Sequence, residues 1–200
     1  FELYNLPKAE TLADKEELIT RLKRPFLPPL KIVLTGKGKV AMGAKEILTA
    51  MKIKEVSSHD FLNKTYTYPV FTNIDVLEYN KRKDGKVIDN QDFYANPKDY
   101  VSDFERFTKV ADVFITGHFY GNDAPIILTT EMLKSPTNKL KIVADISCDV
   151  QGPIACTLRS STIAEPFYGY LPSENKEVPY THPAAIMVMA VDNLPCELPK

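Results

Sequence analysis

The stretch from Lys31 to Met51, KIVLTGKGKVAMGAKEILTAM, restricts the fold more than any other part of the chain. The apolar run Ile32-Val33-Leu34 suits a strand buried on both faces, as in a parallel sheet. Gly36 and Gly38 follow at once, then Ala41, giving G-x-G-x-x-A. Beyond the glycines, Val40, Ala44, Ile47, Leu48 and Met51 recur at the spacing of one helical face. Strand, glycine turn and amphipathic helix, in that order, are the context a dinucleotide fingerprint requires. Gly36 permits the tight turn, Gly38 lets the backbone approach a diphosphate, and Ala41 keeps the helix close to the strand. The unpaired N–H groups at the helix N-terminus, with the helix dipole behind them, favour an anion there.

Two hundred residues at 44% hydrophobic can bury one sizeable core. A formal charge of −1 gives no electrostatic reason to expect nucleic acid or an anionic membrane as partner. The longest unbroken apolar run, Ala184 to Val191, is far short of a membrane span. Cys148, Cys156 and Cys196 are odd in number and lack C-x-x-C spacing, which indicates neither a disulfide framework nor a metal site. Reduced thiols in a cytoplasmic protein are the simplest expectation. The chain starts at Phe1 without an initiator Met and reads as a piece of something longer.

Thr11-Leu12-Ala13-Asp14 resembles a capping signal for a helix to about Lys23, with Leu18, Ile19 and Leu22 as its stripe. Pro25, Pro28 and Pro29 end it. Residues 1–30 therefore read as an inter-domain connector and 31–200 as the domain proper, with a surface helix of the same domain as the alternative. Ile53 to Val56 is the expected second strand, ending at Ser57-Ser58. In this fold the tip of that strand faces the adenosine ribose, and an acidic residue there favours NAD. Ser57 and Ser58 at the tip lean towards NADP, while Asp60 lies close enough to turn back. Val76 to Ile88 reads as an inserted hairpin with Asp84-Gly85 in its turn and a solvated basic tip. Asn96-Pro97 starts a helix bearing Val101, Phe104, Phe107 and Ala111 on one face.

Val113-Phe114-Ile115 is the next buried strand, and Gly117, His118 and Phe119 form the loop at its end, where ligands of open parallel sheets bind. His118 reads as ordering that loop rather than as a catalytic group. A short helix near Thr130 to Leu133 leads to the strand Lys141 to Ala144, which runs into Asp145, Ser147 and Asp149. Ser160 to Tyr180 reads as an excursion of short strands, and Ala185 to Ala190 as the last buried strand. The fold class is α/β: a Rossmann-like, doubly wound, mostly parallel sheet with helices on both faces and an inserted β-hairpin. The site is expected along the C-terminal edges of strands one, two, four and five.

Three strings occur in order: GKGKVAMGAKEI, then VADISCDVQGP followed by TIAEPFYGY, then VDNLPCELP. Together they resemble the family of lysine-ketoglutarate reductases and lysine-forming saccharopine dehydrogenases, including the reductase part of aminoadipic semialdehyde synthase. More distantly they resemble alanine dehydrogenase and the matching transhydrogenase subunit. The resemblance implies an NAD(P)-dependent oxidoreductase acting on the CH–NH group of an amino acid. In such enzymes a dinucleotide domain is inserted into a catalytic domain that supplies the main acid and base and holds the amino-acid and 2-oxo-acid substrates. The strings of that second domain do not occur here, so the chain is expected to be the cofactor half and to turn over nothing alone. Carried over by position, Gly36, Gly38, Lys39, Val40 and Ala41 match the diphosphate loop. Gly117, His118 and Phe119 match the adenosine-side loop. Asp145 and Ser147 match the strand end beneath the nicotinamide, with Asp149 the catalytic candidate. Val191 and Leu194 match the loop that closes over the ring. Alanine as the substrate, or a nucleotide-binding module without chemistry, are the alternatives, and a homo-oligomer is compatible with either.

Overall fold

The computed structural model describes residues 8–22, 27–87, 89–121 and 123–192. Strand β1 (Lys31–Thr35) and helix α2 (Lys39–Ala50) form where the glycine motif placed them. Helix α1 (Lys15–Leu22) precedes them, but it starts later than expected. Asp14 Oδ1 accepts from Glu17 N at 2.8 Å and so caps the helix, while Thr11 belongs to a separate short turn, Ala9–Thr11. Lys23, Pro25 and Ile88 lie outside the described residues.

After α2 come β2 (Lys54–Glu55), α3 (Ser58–Asn63) and β3 (Val70–Ile74). A small insert follows, made of α4 (Val76–Tyr79), β4 (Asn80–Arg82), α5 (Asn90–Ala95) and β5 (Tyr100–Ser102). The chain then runs through α6 (Glu105–Thr108), β6 (Val113–Thr116), α7 (Thr130–Lys134), β7 (Ile142–Asp145), β8 (Phe167–Leu171), β9 (Lys176–Val178) and β10 (Ile186–Met189). Eight strands make one sheet in the order β2-β3-β1-β6-β7-β10-β8-β9. Every neighbouring pair from β2 to β10 is parallel, and β8 and β9 add antiparallel at the far edge. The expected mostly parallel, doubly wound sheet is therefore present.

Its two faces are unequal. On one, Val33, Phe114, Val143 and Val188 meet Phe61 of α3, Phe107 of α6 with Phe104 just before it, and Leu133 of α7. On the other, Ile32, Leu34 and Phe71 meet Ala41 and Leu48 of α2. The inward face of α2 is thus Ala41, Ala44, Leu48 and Met51, and Val40, expected on that face, is 51% exposed.

Three expectations fail for identifiable reasons. The strand beside β1 is β3, not the Ile53–Val56 segment, which gives only two exposed residues on the sheet edge. Val76 to Tyr79 is a helical turn rather than a hairpin arm. Asp75 and Glu78 form a reciprocal capping box around it, and two satisfied amides outweigh the β propensity of Val and Tyr. The inserted antiparallel pair exists, but it joins β4 to β5, with Asn80 opposite Ser102 and Arg82 opposite Tyr100. The long helix expected after Pro97 is interrupted because Tyr100–Ser102 is drawn into that pair. Phe104, Phe107 and Ala111 are nevertheless fully buried.

At the top of β1 the chain turns at Gly36, whose φ is +94°. A Cβ there would lie 2.7 Å from Gly117 C and 2.8 Å from His118 Cα. A Cβ on Gly117 would lie 2.8 Å from Ala41 Cα and 2.9 Å from Thr35 O. Gly36→Ala is expected to cost about 1–3 kcal/mol for the backbone conformation alone, with more from the clash, read as a lower urea midpoint. Gly38→Ala, with φ −80° and nothing within 4 Å of its Cβ, is expected to leave the midpoint in place.

Candidate functional site

The parallel register aligns the strand ends: Ile74, Thr35, Thr116 and Asp145 lie in one row. The residues just beyond that row, Asp75, Gly36 and Gly117, emerge side by side at the C-terminal edge of the sheet. A cleft of about 450 Å³ opens there, bounded by the Gly36–Val40 turn, by Asp75 and by Gly117, His118 and Phe119. Tyr79 of α4 and Asn90 and Tyr94 of α5 complete its wall.

Gly38 is the N-cap of α2 and carries no capping side chain, so the first-turn amides have no side-chain acceptor. Its missing Cβ faces open space, which leaves a cradle of bare backbone. Lys39 is exposed beside it, and Lys37 Nζ donates to the Asn73 carbonyl. Helix dipole, bare amides and a lysine favour a diphosphate-sized anion.

His118 is 9% exposed. Its Nδ1 lies 2.7 Å from Thr35 Oγ1, while Nε2 is buried and has no partner among the described residues. A buried ring nitrogen left over at the wall of a cleft fits a hydrogen-bonding ligand. Burial pushes the imidazole down from 6.5 to about 4, with Asp145 pulling weakly the other way. The ring is therefore neutral at physiological pH and can donate from one nitrogen and accept at the other. Tyr79 lies 6.1 Å away, centroid to centroid, and burial, then Tyr94 and Asp75, push its phenol upward.

One strand further on, Asp145 is fully buried and fully used. Its Oδ1 accepts from Thr116 Oγ1 at 2.8 Å, Ser147 Oγ at 2.6 Å and Ser147 N at 3.2 Å, and its Oδ2 accepts from Thr157 Oγ1 at 2.6 Å. The structure places Asp145 under the site as an anchor for the loop after β7, and Ser147 is committed to it. Asp149 is exposed in the turn beyond, its carbonyl accepting from Gly152 N at 2.9 Å. Between them Cys148 has φ +46°, and burial followed by the charges of Asp145, Asp149 and Asp192 raises its thiol pKa.

The sequence-derived residues thus fall into two groups. Gly36, Gly38, Lys39, Val40, Gly117, His118 and Phe119 line one cleft, with Ala41 packed behind it. Asp145, Ser147 and Asp149 stand at the adjoining strand end. Val191 is buried just past β10, and Leu194 lies outside the described residues. Ser57 and Ser58 do not line the cleft. The last paired residue of β2, Glu55, is level with Phe71, short of the Ile74 row and one strand further out. The Ser57 hydroxyl caps α3 through Asp60 N, and that of Ser58 donates to Glu78. The residue at the tip of the strand next to β1 is Asp75, which the sequence reading missed. The run Val70-Phe71-Thr72-Asn73-Ile74 before a D-x-x-E cap was the signal for it.

No protein-family model matches the sequence. The chain is 29% identical to "Alpha-aminoadipic semialdehyde synthase" of Arabidopsis thaliana across 96% of its own length and 20% of that protein's. It is 26% identical to "Alpha-aminoadipic semialdehyde synthase, mitochondrial" of Mus musculus across 92% of its own length and 22% of that protein's. The resemblance carried by the three strings is borne out by these relatives, of whose length the chain spans about a fifth.

Neutral His118 makes the fold acid-sensitive. The unfolded chain takes up this proton near 6.5 and the folded chain only near 4, so the unfolded state holds more protons in that interval and stability falls as pH drops through it. His118→Gln removes this contribution. Relative to wild type, the variant is expected to gain up to about 3 kcal/mol between pH 7 and pH 4, measured by urea unfolding across that range.

Proposed function

We propose that this chain is the nicotinamide-dinucleotide-binding unit of an oxidoreductase acting on the CH–NH group of an amino acid, of the saccharopine-forming or saccharopine-splitting type. The cleft at the uncapped start of α2 carries the cofactor part of the reading, because bare amides, an open glycine cradle and an unpartnered buried histidine nitrogen meet there. The similarity to two alpha-aminoadipic semialdehyde synthases supports the substrate class.

The diphosphate lies on the amides of Lys39, Val40 and Ala41, with Lys39 offsetting its charge. Asp75, at the tip of β3, takes the ribose position that the sequence reading gave to Ser57 and Ser58. Its carboxylate accepts from Val76 N at 2.7 Å, from Asn90 Nδ2 at 2.9 Å and, in the capping box, from Glu78 N, which leaves one acceptor position for a ribose hydroxyl. A carboxylate in that place repels a 2′-phosphate, so the lean towards NADP is replaced by NAD. When bound, the nicotinamide supplies or accepts a hydride. The chain's own contribution is to hold the dinucleotide in the cleft, with Asp145 fixing the loop that ends in Asp149. Asp149, exposed at the nicotinamide end, faces the side where a substrate domain would close. Because hydride transfer needs donor and acceptor held together, the chain alone binds cofactor without turnover.

Isothermal titration calorimetry of the 200-residue chain is expected to show NADH binding at least about tenfold tighter than NADPH. Gly38→Asp separates the anion site from the fold. Aspartate is a better N-cap than glycine, so the variant's unfolding free energy should hold or rise by about 0.5 kcal/mol. Like charges about 4 Å apart at the diphosphate should meanwhile lower NADH affinity at least about tenfold. Unchanged affinity in this variant would place the nucleotide elsewhere.

A further inference from the structure

The insert between β3 and α6 is built more rigidly than a surface excursion needs. The Arg82 side chain, 14% exposed, donates to Asp84 at 3.1 Å, to Asp99 at 3.2 Å and to Asp92, and its guanidinium lies 5.7 Å from the Tyr100 ring centroid. Tyr100 Oη donates to Asp92 at 2.7 Å, and Phe93 meets the Tyr100 ring edge-on at 5.1 Å. One arginine thus ties α5 to β4 and to the segment leading into β5. Asn90 and Tyr94 are four residues apart on α5 and share the helix face that lines the cleft. Tyr94 is 61% exposed, with one edge on Phe93 at 5.6 Å, so its ring is held in place while remaining open to a ligand. Asn90 Nδ2 donates to Asp75 Oδ2, across the cleft from the Gly117–Phe119 loop.

We propose that α5 is an adenosine clamp, in which Tyr94 is the stacking platform for the purine and Asn90 is a positioning residue that fixes the Asp75 carboxylate towards the ribose 2′-hydroxyl. The inference rests on the dinucleotide reading above and adds a second wall to it, supplied by the insert rather than by the glycine turn. An amide donor bound to one oxygen sets the plane of the carboxylate. Without it the carboxylate is held only from the capping-box side, by Val76 N and Glu78 N, and loses part of its power to tell a hydroxyl from a phosphate. A half-open tyrosine ring costs little to leave in water and gains when a flat base covers it. The Arg82 cluster fixes, through Asp92, the helix that carries both side chains before binding, so less order is lost when the ligand arrives.

The test uses the whole chain with NADH, NADPH and ADP-ribose as probes in calorimetry, and with thermal unfolding as a check on the fold. Tyr94→Ala is expected to weaken both NADH and ADP-ribose about tenfold, and Tyr94→Phe, which keeps the ring, to restore binding to near wild type. Asn90→Ala is expected to shrink the preference for NADH over NADPH by about tenfold, chiefly by weakening NADH. The clamp is overturned if wild type binds NADH while Tyr94→Ala binds it and ADP-ribose unchanged, or if Asn90→Ala leaves the NADH-to-NADPH ratio intact. If wild type binds none of the three probes, the dinucleotide reading falls, and the clamp with it.

Discussion

The site depends on a backbone-to-backbone contact with no room for a side chain. Gly36, Gly117 and Ala41 meet where β1, β6 and α2 converge, and a single added carbon at either glycine would sit inside its neighbour's van der Waals surface. That contact brings the start of α2 against the loop after β6. The first amides of the helix therefore open into the same space that the His118 ring borders. With longer residues at this junction the helix would ride higher and the cleft would lose its floor.

A second layer of order lies beneath. Thr35 holds His118 from one strand end, and Thr116 holds Asp145 from the next. Both threonines are buried at the register row from which the loops depart. Neither pair needs to touch a ligand to matter, since each fixes the exit direction of a loop. The Asp145 carboxylate is saturated by hydroxyls and an amide, the arrangement that lets a carboxylate remain buried without a cation. Two buried side-chain polar atoms are left over among the described residues, Asn80 Oδ1 and His118 Nε2, and the second sits at the cleft.

The parts of the fold that were legible in the sequence are those where apolar runs and glycines act locally. Ile32–Leu34, Val113–Ile115 and Ile186–Met189 are strands because short apolar runs of this kind are buried on both faces of a parallel sheet. Gly36 and Gly38 announced their turn. Strand order was not legible, because neighbours are chosen by tertiary packing. β3 was missed because Thr72 and Asn73 break its apolar run, and Thr72 is buried all the same. That omission moved the expected ribose contact to Ser57 and hid Asp75. The spacing of Phe104, Phe107 and Ala111 gave their burial correctly and their helix length wrongly, since burial is set by the core and length by the pull of β4 on Tyr100–Ser102.

In the proposed complex an anionic diphosphate rests on the first-turn amides of α2. The most direct measurement is a ¹⁵N–¹H correlation spectrum of the chain titrated with ADP-ribose. With the diphosphate seated there, the amide resonances of Lys39, Val40 and Ala41 move furthest, with Gly36 and His118 following. Saturable binding that leaves these amides still while shifting a different surface would contradict it.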